Sequence, residues 1–402
     1  MLSASTKRVT AACAALGALM ALPVGLAPSA AAADVQSQQW YLSAMKADEM
    51  WKTSTGKGVK IAVVDTGVNP STPSLQGQVL VDEVPKSLSY GATKDISGHG
   101  TTMAEIIAGT GHGGGLKGLA PDAKVVPYRV AVRGMSLSEQ NKAPDPVAVI
   151  KAIANSDVKI INMSFADDIS YDDEQAAIKY AASKGKLLFA GSGNDAQTTN
   201  GKLYPASYPD VVGVSAVDKT GTVGKFSNHG FSVDLAAPGV DIPAWCNASF
   251  HSYCSHVYGT SDATAVASAS AALIWSAHPD WTANQVLRSL IDTAGREWPK
   301  ETPSNYLGYG IIRPRKVLEN AHYNPGPANV DPLAVEDGVA KPKTSPSASA
   351  PAKSPSGGET SAADAGSKSS GNTLTWVVVG AAAALVVIGG AAFAVIRSRR
   401  RA

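Results

Sequence analysis

Val59-Lys60-Ile61-Ala62-Val63-Val64-Asp65 is a nearly unbroken apolar run that stops on an acid. Strict alternation would mark a strand with one wet face, whereas a continuous apolar run marks a strand buried on both faces of a parallel sheet. Four more stretches share this character: Lys124 to Val132, Val158 to Met163, Lys186 to Ala190 and Val211 to Val217. Helical patterns fall between them, as at Pro146 to Ala154 and Asp173 to Lys184. Strands alternating with helices predict an α/β fold, a mostly parallel sheet with helices on both faces. No fixed-period repeat is visible.

Four side chains stand where chemistry is done in such a fold. Asp65 ends the first strand ahead of Thr66-Gly67, and ligand sites in open α/β sheets lie at the carboxyl ends of strands. By itself an Asp before Gly also suits a plain turn. His99, in Ser97-Gly98-His99-Gly100-Thr101-Thr102, precedes a helical pattern with Met103, Ile106 and Ile107 on one face. The positive end of that helix disfavours an imidazolium, so a resting neutral base is expected there. The rival, His112, sits in a GHGGG loop with no helix behind it. Asn194 follows the strand ending Leu187-Leu188-Phe189-Ala190, where its amide suits either a turn or donation to an oxyanion. Ser261 lies in VYGTSDATA, Val257 to Ala265, a small-residue turn opening a long Ala-rich helix. Backbone N–H groups at such a helix start point toward a reacting oxygen.

In that order the four resemble the catalytic set of the subtilisin-like serine proteases, the subtilases. The matching motifs are VVDTGV, GHGTTMAEIIAG, GSGN and GTSDATA, with YPASYPDVVGVSAV, FSNHG and DLAAPGVDI beside them. The resemblance spans essentially the whole folded region and implies a subtilisin-like fold. It further implies Ser261 as nucleophile, His99 as base, Asp65 as the acid that holds the imidazole, and Asn194 with the Ser261 N–H as oxyanion hole. Ser164-Phe165-Ala166 would form one substrate-binding wall, and the opposite wall would fall near Gly134 to Ser138. Two residues depart from the family pattern: Asp262 replaces an apolar residue after the nucleophile, and Ala265 replaces a proline.

The ends place the domain. Residues 1–33 read as a secretory signal, with Lys7 and Arg8, an apolar run broken by Pro23, and Ala31-Ala32-Ala33 as the cleavage site. Leu374 to Ile396 is an uncharged apolar segment long enough to cross a hydrocarbon core of about 30 Å as a helix. Arg397, Arg399, Arg400 and Arg401 follow in the tail 397–402 and put the C-terminus in the cytoplasm. Residues 324–373 read as a disordered linker. Its stretch Ala340 to Thr373 has no Val, Ile, Leu, Met or aromatic residue and reaches roughly 30 Å as a flexible coil. The catalytic domain is thus 34–323, extracellular, with a short arm from Gln39 to Trp51 packed on it.

Six of the 35 Lys and Arg lie in the signal and tail, leaving 29 against 33 acids outside the membrane, with no basic stripe. Nucleic acid is therefore excluded as a partner. Gly109 to Gly118 lacks the GK[ST] ending of a phosphate loop. Asp167, Asp168, Asp172, Asp173 and Glu174 lack EF-hand spacing, so no metal or cofactor is expected and calcium is unsupported. In an exported domain Cys246 and Cys254 are expected to form a disulfide, two buried thiols being the alternative. Signal, arm, subtilase domain, tether and single span together resemble the mycosins, membrane-anchored proteases of type VII secretion. That resemblance implies limited proteolysis of a protein or peptide substrate, or a largely non-proteolytic scaffold role in the secretion membrane complex.

Overall fold

The computed structural model describes residues 34–334, Arg133 excepted. The signal, the candidate membrane span at 374–396 and the tail lie outside them. Among the described residues no helix is long and apolar enough to cross a membrane.

The described residues form strands β1 Lys60–Asp65, β2 Lys124–Arg129, β3 Ile160–Met163, β4 Leu187–Gly191, β5 Val212–Val217, β6 Leu235–Pro238, β7 Ile242–Trp245 and β8 Tyr253–Val257. The helices are α1 Asp34–Ser37, α2 Trp40–Ala44, α3 Ala47–Trp51, α4 His99–Ala108, α5 Leu137–Lys142, α6 Pro146–Ala154, α7 Asp172–Ser183, α8 Thr260–Ala277, α9 Ala283–Thr293 and α10 Arg315–Leu318. The first six strands form one parallel sheet in the order β2-β1-β3-β4-β5-β6, and β7 with β8 forms an antiparallel hairpin.

The continuous apolar runs are explained by two cores. Ile61 and Val63 of β1 pack with Met103 and Ile107 of α4 and with Ala-rich α8. Ala62 and Val64 face the other way, onto Ile150 and Ile153 of α6 and Ile178 of α7. Successive residues alternate between the two faces, so a strand covered on both must be apolar throughout. Residues Ala263 to Trp275 of α8 are buried without exception. Their small side chains let the helix lie close under the sheet, where Ser268 donates to Asn162 Oδ1 of β3 at 3.0 Å.

The chain runs from β1 out to β2, then crosses back to β3 on the far side of β1. This reversal opens a crevice at the carboxyl ends of β1 and β3, where an open α/β sheet places its ligands. Asp65 ends β1 there and Ser164 follows β3.

Two boundaries and three strands differ from expectation. β2 ends at Arg129 rather than Val132, and α5 follows over Leu137–Lys142, its first two residues overlapping the end of the segment expected to be a binding wall. Strands β6, β7 and β8 were not foreseen from hydrophobic pattern. Residues 324–334, expected to open the linker, lie against the domain instead: Leu333 is buried, Arg288 Nη2 donates to the Val330 carbonyl at 2.6 Å and Gln285 Nε2 to that of Gly326 at 2.9 Å. Residues 324–334 therefore belong to the folded unit, held along α9.

Candidate active site

His99 is the first residue of α4, and Gly98 ahead of it takes φ 90°, a left-handed turn suited to glycine. His99 Nδ1 meets both oxygens of Asp65, at 2.8 and 3.0 Å. The acid is 1% exposed and the imidazole side chain 38%. A residue that sequence reasoning missed builds this corner. Asp95, also buried, accepts hydrogen bonds from the N–H groups of Ser97, Gly98 and Thr101 and from the hydroxyls of Thr66 and Thr101, at 2.7–3.0 Å. It satisfies orphan donors at the start of α4 and ties that start to the residue after Asp65. Its only sequence signal is an acid four residues ahead of His99, in Asp95-Ile96-Ser97-Gly98.

The helix-dipole argument for a neutral His99 is opposed by its neighbours. Burial pulls its pKa down, but the charge and hydrogen bond of Asp65, with Asp262 and Asp95 behind, outweigh burial and hold it up at about 9. The ring's exposure lets water screen part of this effect; the direction is upward.

Ser261 occupies the second position of α8, behind the N-cap Gly259. Its N–H has no partner within the helix at that position. Its Oγ donates to the Ser164 carbonyl at 3.5 Å rather than to His99, so Asp65 and His99 are joined while the hydroxyl is parked on the opposite wall. The same wall is fixed from below: Asn162 Nδ2 donates to Ser164 Oγ at 3.0 Å, which donates to the Ser261 carbonyl at 3.3 Å. Asn194 Oδ1 accepts from the Thr260 N–H at 2.9 Å and its hydroxyl at 3.0 Å. With its oxygen engaged, the exposed Asn194 amide keeps Nδ2 as the free-facing donor beside the start of α8. Thr260 was also missed; its hydroxyl accepts from Gly193 N–H as well, at 3.2 Å, and so sets the orientation of the whole Asn194 turn.

A cleft of about 400 Å³ runs past His99, with Ser164, Phe165 and Ala166 on one side and Val132, Gly134 and Met135 on the other. The second side is braced from beneath by Arg129, a wholly buried guanidinium whose Nη2 reaches Glu139 at 2.6 Å over the Tyr90 ring. Cys246 and Cys254 are bonded across the β7–β8 hairpin. That hairpin leans on α4 through Trp245 N–H to Thr102 Oγ1 at 3.0 Å and Tyr253 O–H to Glu105 at 2.7 Å. Among the described residues no group of three or more His, Cys, Asp or Glu is placed to hold a metal. Asp172, Asp173 and Glu174 open the first turn of α7.

Residues 56–310 match the model of the subtilase family. The chain belongs to the subtilase family. It is 33% identical over 300 residues to the minor extracellular protease Epr of Bacillus subtilis, covering 71% of this chain and 42% of that one. To Subtilisin Savinase of Lederbergia lenta it is 32% identical over 278 residues, 69% of this chain and 97% of that. The first two curated relatives are spanned to 42% and 55%, about half their length. Among solved structures, MycP1 from Mycobacterium smegmatis superposes with a TM-score of 0.58 at 25% identity, covering 74% of this chain and 88% of that one. The MycP3 protease from the type VII (ESX-3) secretion system gives 0.58 at 27%, covering 72% and 90%.

Proposed function

We propose that this subtilase is a serine endopeptidase, anchored to the cell membrane by residues 374–396 with its domain outside, performing limited processing linked to type VII secretion. The Asp65–His99 pair beside a serine at a helix start carries the chemical part of this reading. The membrane part rests on the signal, the apolar span and the arginine tail, and the secretion part on the mycosin neighbours.

The chemistry follows from the site. A substrate strand laid along Ser164-Phe165-Ala166 takes the Ser164 carbonyl for its own N–H, and the displaced Ser261 hydroxyl turns to His99 Nε2. His99 accepts the proton as Oγ adds to the scissile carbonyl, and Asp65 stabilises the imidazolium and keeps its Nδ1–H fixed. The tetrahedral oxyanion receives N–H from Ser261 and from Asn194 Nδ2. His99 then protonates the leaving amine, giving an acyl-enzyme on Ser261 that water cleaves by the same steps reversed.

One observation favours a second reading, a scaffold subunit of the secretion membrane complex in which cleavage is secondary: Ser261 Oγ faces Ser164 rather than His99. Ser261→Ala separates the two. The protease reading expects the wild type to capture a fluorophosphonate on Ser261 and cleave peptides, and the variant to do neither, with secretion by cells lost. Secretion intact in the variant, together with a wild type that captures no probe, establishes the scaffold.

A further inference from the structure

Arg129 closes β2 at the edge of the sheet, yet its side chain is sealed from water. The residue is 1% exposed, and its Nε makes no hydrogen bond. Its backbone is fixed: Arg129 lies in register with Asp65, and the next N–H, of Val130, donates to the Asp65 carbonyl at 2.9 Å. The guanidinium Nη2 donates to Glu139 Oε2 at 2.6 Å, and the Tyr90 hydroxyl donates to the same oxygen at 3.2 Å. The Tyr90 ring centre lies 5.5 Å from the guanidinium carbon, within cation–π reach. Gly91 takes φ 67°, and a Cβ there would strike the Arg129 side chain. Glu139 is the third residue of α5, behind the N-cap Ser136, whose Oγ accepts from the Glu139 N–H at 3.4 Å. Ser136-Leu137-Ser138-Glu139 has the spacing of a capping box, in which the Glu carboxylate turns back to the N–H of the cap residue. Here the carboxylate goes to Arg129 instead, with Lys142 Nζ 3.7 Å from its Oε1.

The two ends of this link bracket the loop 130–136, which carries Val132, Gly134 and Met135 of the cleft wall. A loop from a strand to a helix has no ladder to hold it. Its ties include the Met135 N–H to the Val132 carbonyl at 3.2 Å and Gln140 Nε2 to the Met135 carbonyl at 2.7 Å. We propose that Arg129 and Glu139 are positioning residues for substrate binding: their link holds the 130–136 loop at a fixed span, so that an extended peptide meets a preformed wall opposite Ser164-Phe165-Ala166. This rests on the protease reading of the site. Neither residue lines the cleft, so both act through the loop. A buried ion pair is a poor source of stability, because apolar side chains of similar volume fill the same space without the cost of removing charge from water. What apolar side chains would not supply is direction. A guanidinium fork fixes the carboxylate, and with it the first turn of α5, in distance and orientation. A wall fixed in advance spares the ordering of a loop when substrate binds, and that saving shows in KM.

The test uses the full-length chain with Glu139→Ala, Arg129→Met and the two combined. Two substrates are compared: p-nitrophenyl acetate, too small to span the cleft, and an extended peptide of about eight residues, long enough to lie along both walls. In Glu139→Ala, kcat/KM for the peptide should fall about tenfold further than for the ester, with the loss carried by KM rather than kcat. The double variant should lose no more than the worse of the two single variants, because either substitution breaks the same link. A merely structural role would lower Tm and weaken both substrates alike. A peptide-to-ester ratio unchanged in Glu139→Ala, or losses that add in the double variant, overturns the proposal. The Glu139 side chain is 30% exposed, so its variant decides the matter should Arg129→Met not fold. A wild type that hydrolyses neither substrate and captures no fluorophosphonate counts against the protease reading instead. Hydrogen exchange then decides the link: amides of residues 130–136 should exchange about tenfold faster in Glu139→Ala than in the wild type, and equal rates overturn it.

Discussion

Asp65 and His99 meet where the residue after His99, Gly100, packs without a side chain against the end of β1. A Cβ there would strike the Gly67 carbonyl and come within 3.1 Å of Asp65 Oδ1, so the start of α4 would have to lift away from the end of β1. Gly100→Ala is therefore expected to lengthen the 2.8 Å contact and lower kcat/KM by about 10²-fold, since a shift near 1 Å in a catalytic group has that effect. Steady-state kinetics beside a crystal structure of the variant checks this, and unchanged kcat/KM would show that the corner has slack. Asp65, His99, Asn194 and Ser261 were legible because each sits at a break where an apolar run or helical pattern meets glycine. Asp95, Thr260 and Arg129 were not, because what defines them is tertiary. Arg129 reads as an ordinary charge at a strand end until Glu139 and Tyr90 close over it.

The five strands carried by continuous apolar runs were legible as elements because burial on both faces leaves a chemical trace in sequence. Strand β6, Leu235-Ala236-Ala237-Pro238, is short and ends on a residue without an N–H, so it resembles a loop. Strand β8 is largely exposed and shows no alternation; its pairing with β7, rather than its composition, makes it a strand. That hairpin stacks Trp245 on Tyr253 at 3.8 Å between ring centres, and its far strand leads directly to Gly259 and the turn that carries Ser261. The Cys246–Cys254 bond closes a sequence separation of 8. A loop of that size stabilises by about 2–3 kcal/mol through the unfolded chain. Replacing both cysteines by Ala should thus lower Tm by roughly 3–5 °C in a domain of this size. Calorimetry with and without reductant is the check: reductant should shift the wild type toward the variant and leave the variant where it is. Equal Tm values for the two proteins would mean that the contacts to Thr102 and Glu105 hold the hairpin unaided.

At the scale of the whole molecule, proton binding sets stability and activity against one another. Burial pushes Glu105 up to about 7, despite hydrogen bonds from Tyr253 and Thr72, and Asp262 up to about 7. His99, its burial outweighed by Asp65, is held at about 9. For all three the folded chain binds protons more tightly than the unfolded chain. Stability falls with rising pH wherever the folded state holds the extra proton. The carboxyl contributions are complete below about 4 and are lost as pH climbs through 7; that of His99 is complete below about 6.5 and is lost through 9. Acting the other way, Asp157 is lowered by the hydrogen bond from Lys60, and Asp218 by hydrogen bonds from Thr220 and Thr222 that outweigh its burial; these contributions are lost as pH falls below the ordinary carboxylate range. His278, lowered by burial, adds a small rise in stability as pH climbs up to the ordinary imidazole value. The sum places the highest Tm near pH 5, with a decline through 7 to 9. On the proposed mechanism, serine attack needs neutral His99 and so runs in the opposite sense, rising over the same alkaline interval. Thermal melts and fluorophosphonate capture measured on one set of buffers from pH 4 to 10 should therefore cross. Glu105→Gln should flatten the decline in Tm between about pH 5 and 8 without moving the rise in capture, because Glu105 lies in α4 beyond reach of the reacting atoms. A Tm that climbed together with capture toward pH 9 would mean that Glu105 and Asp262 are ionised in the folded chain and paired with cations, contrary to the burial that surrounds them.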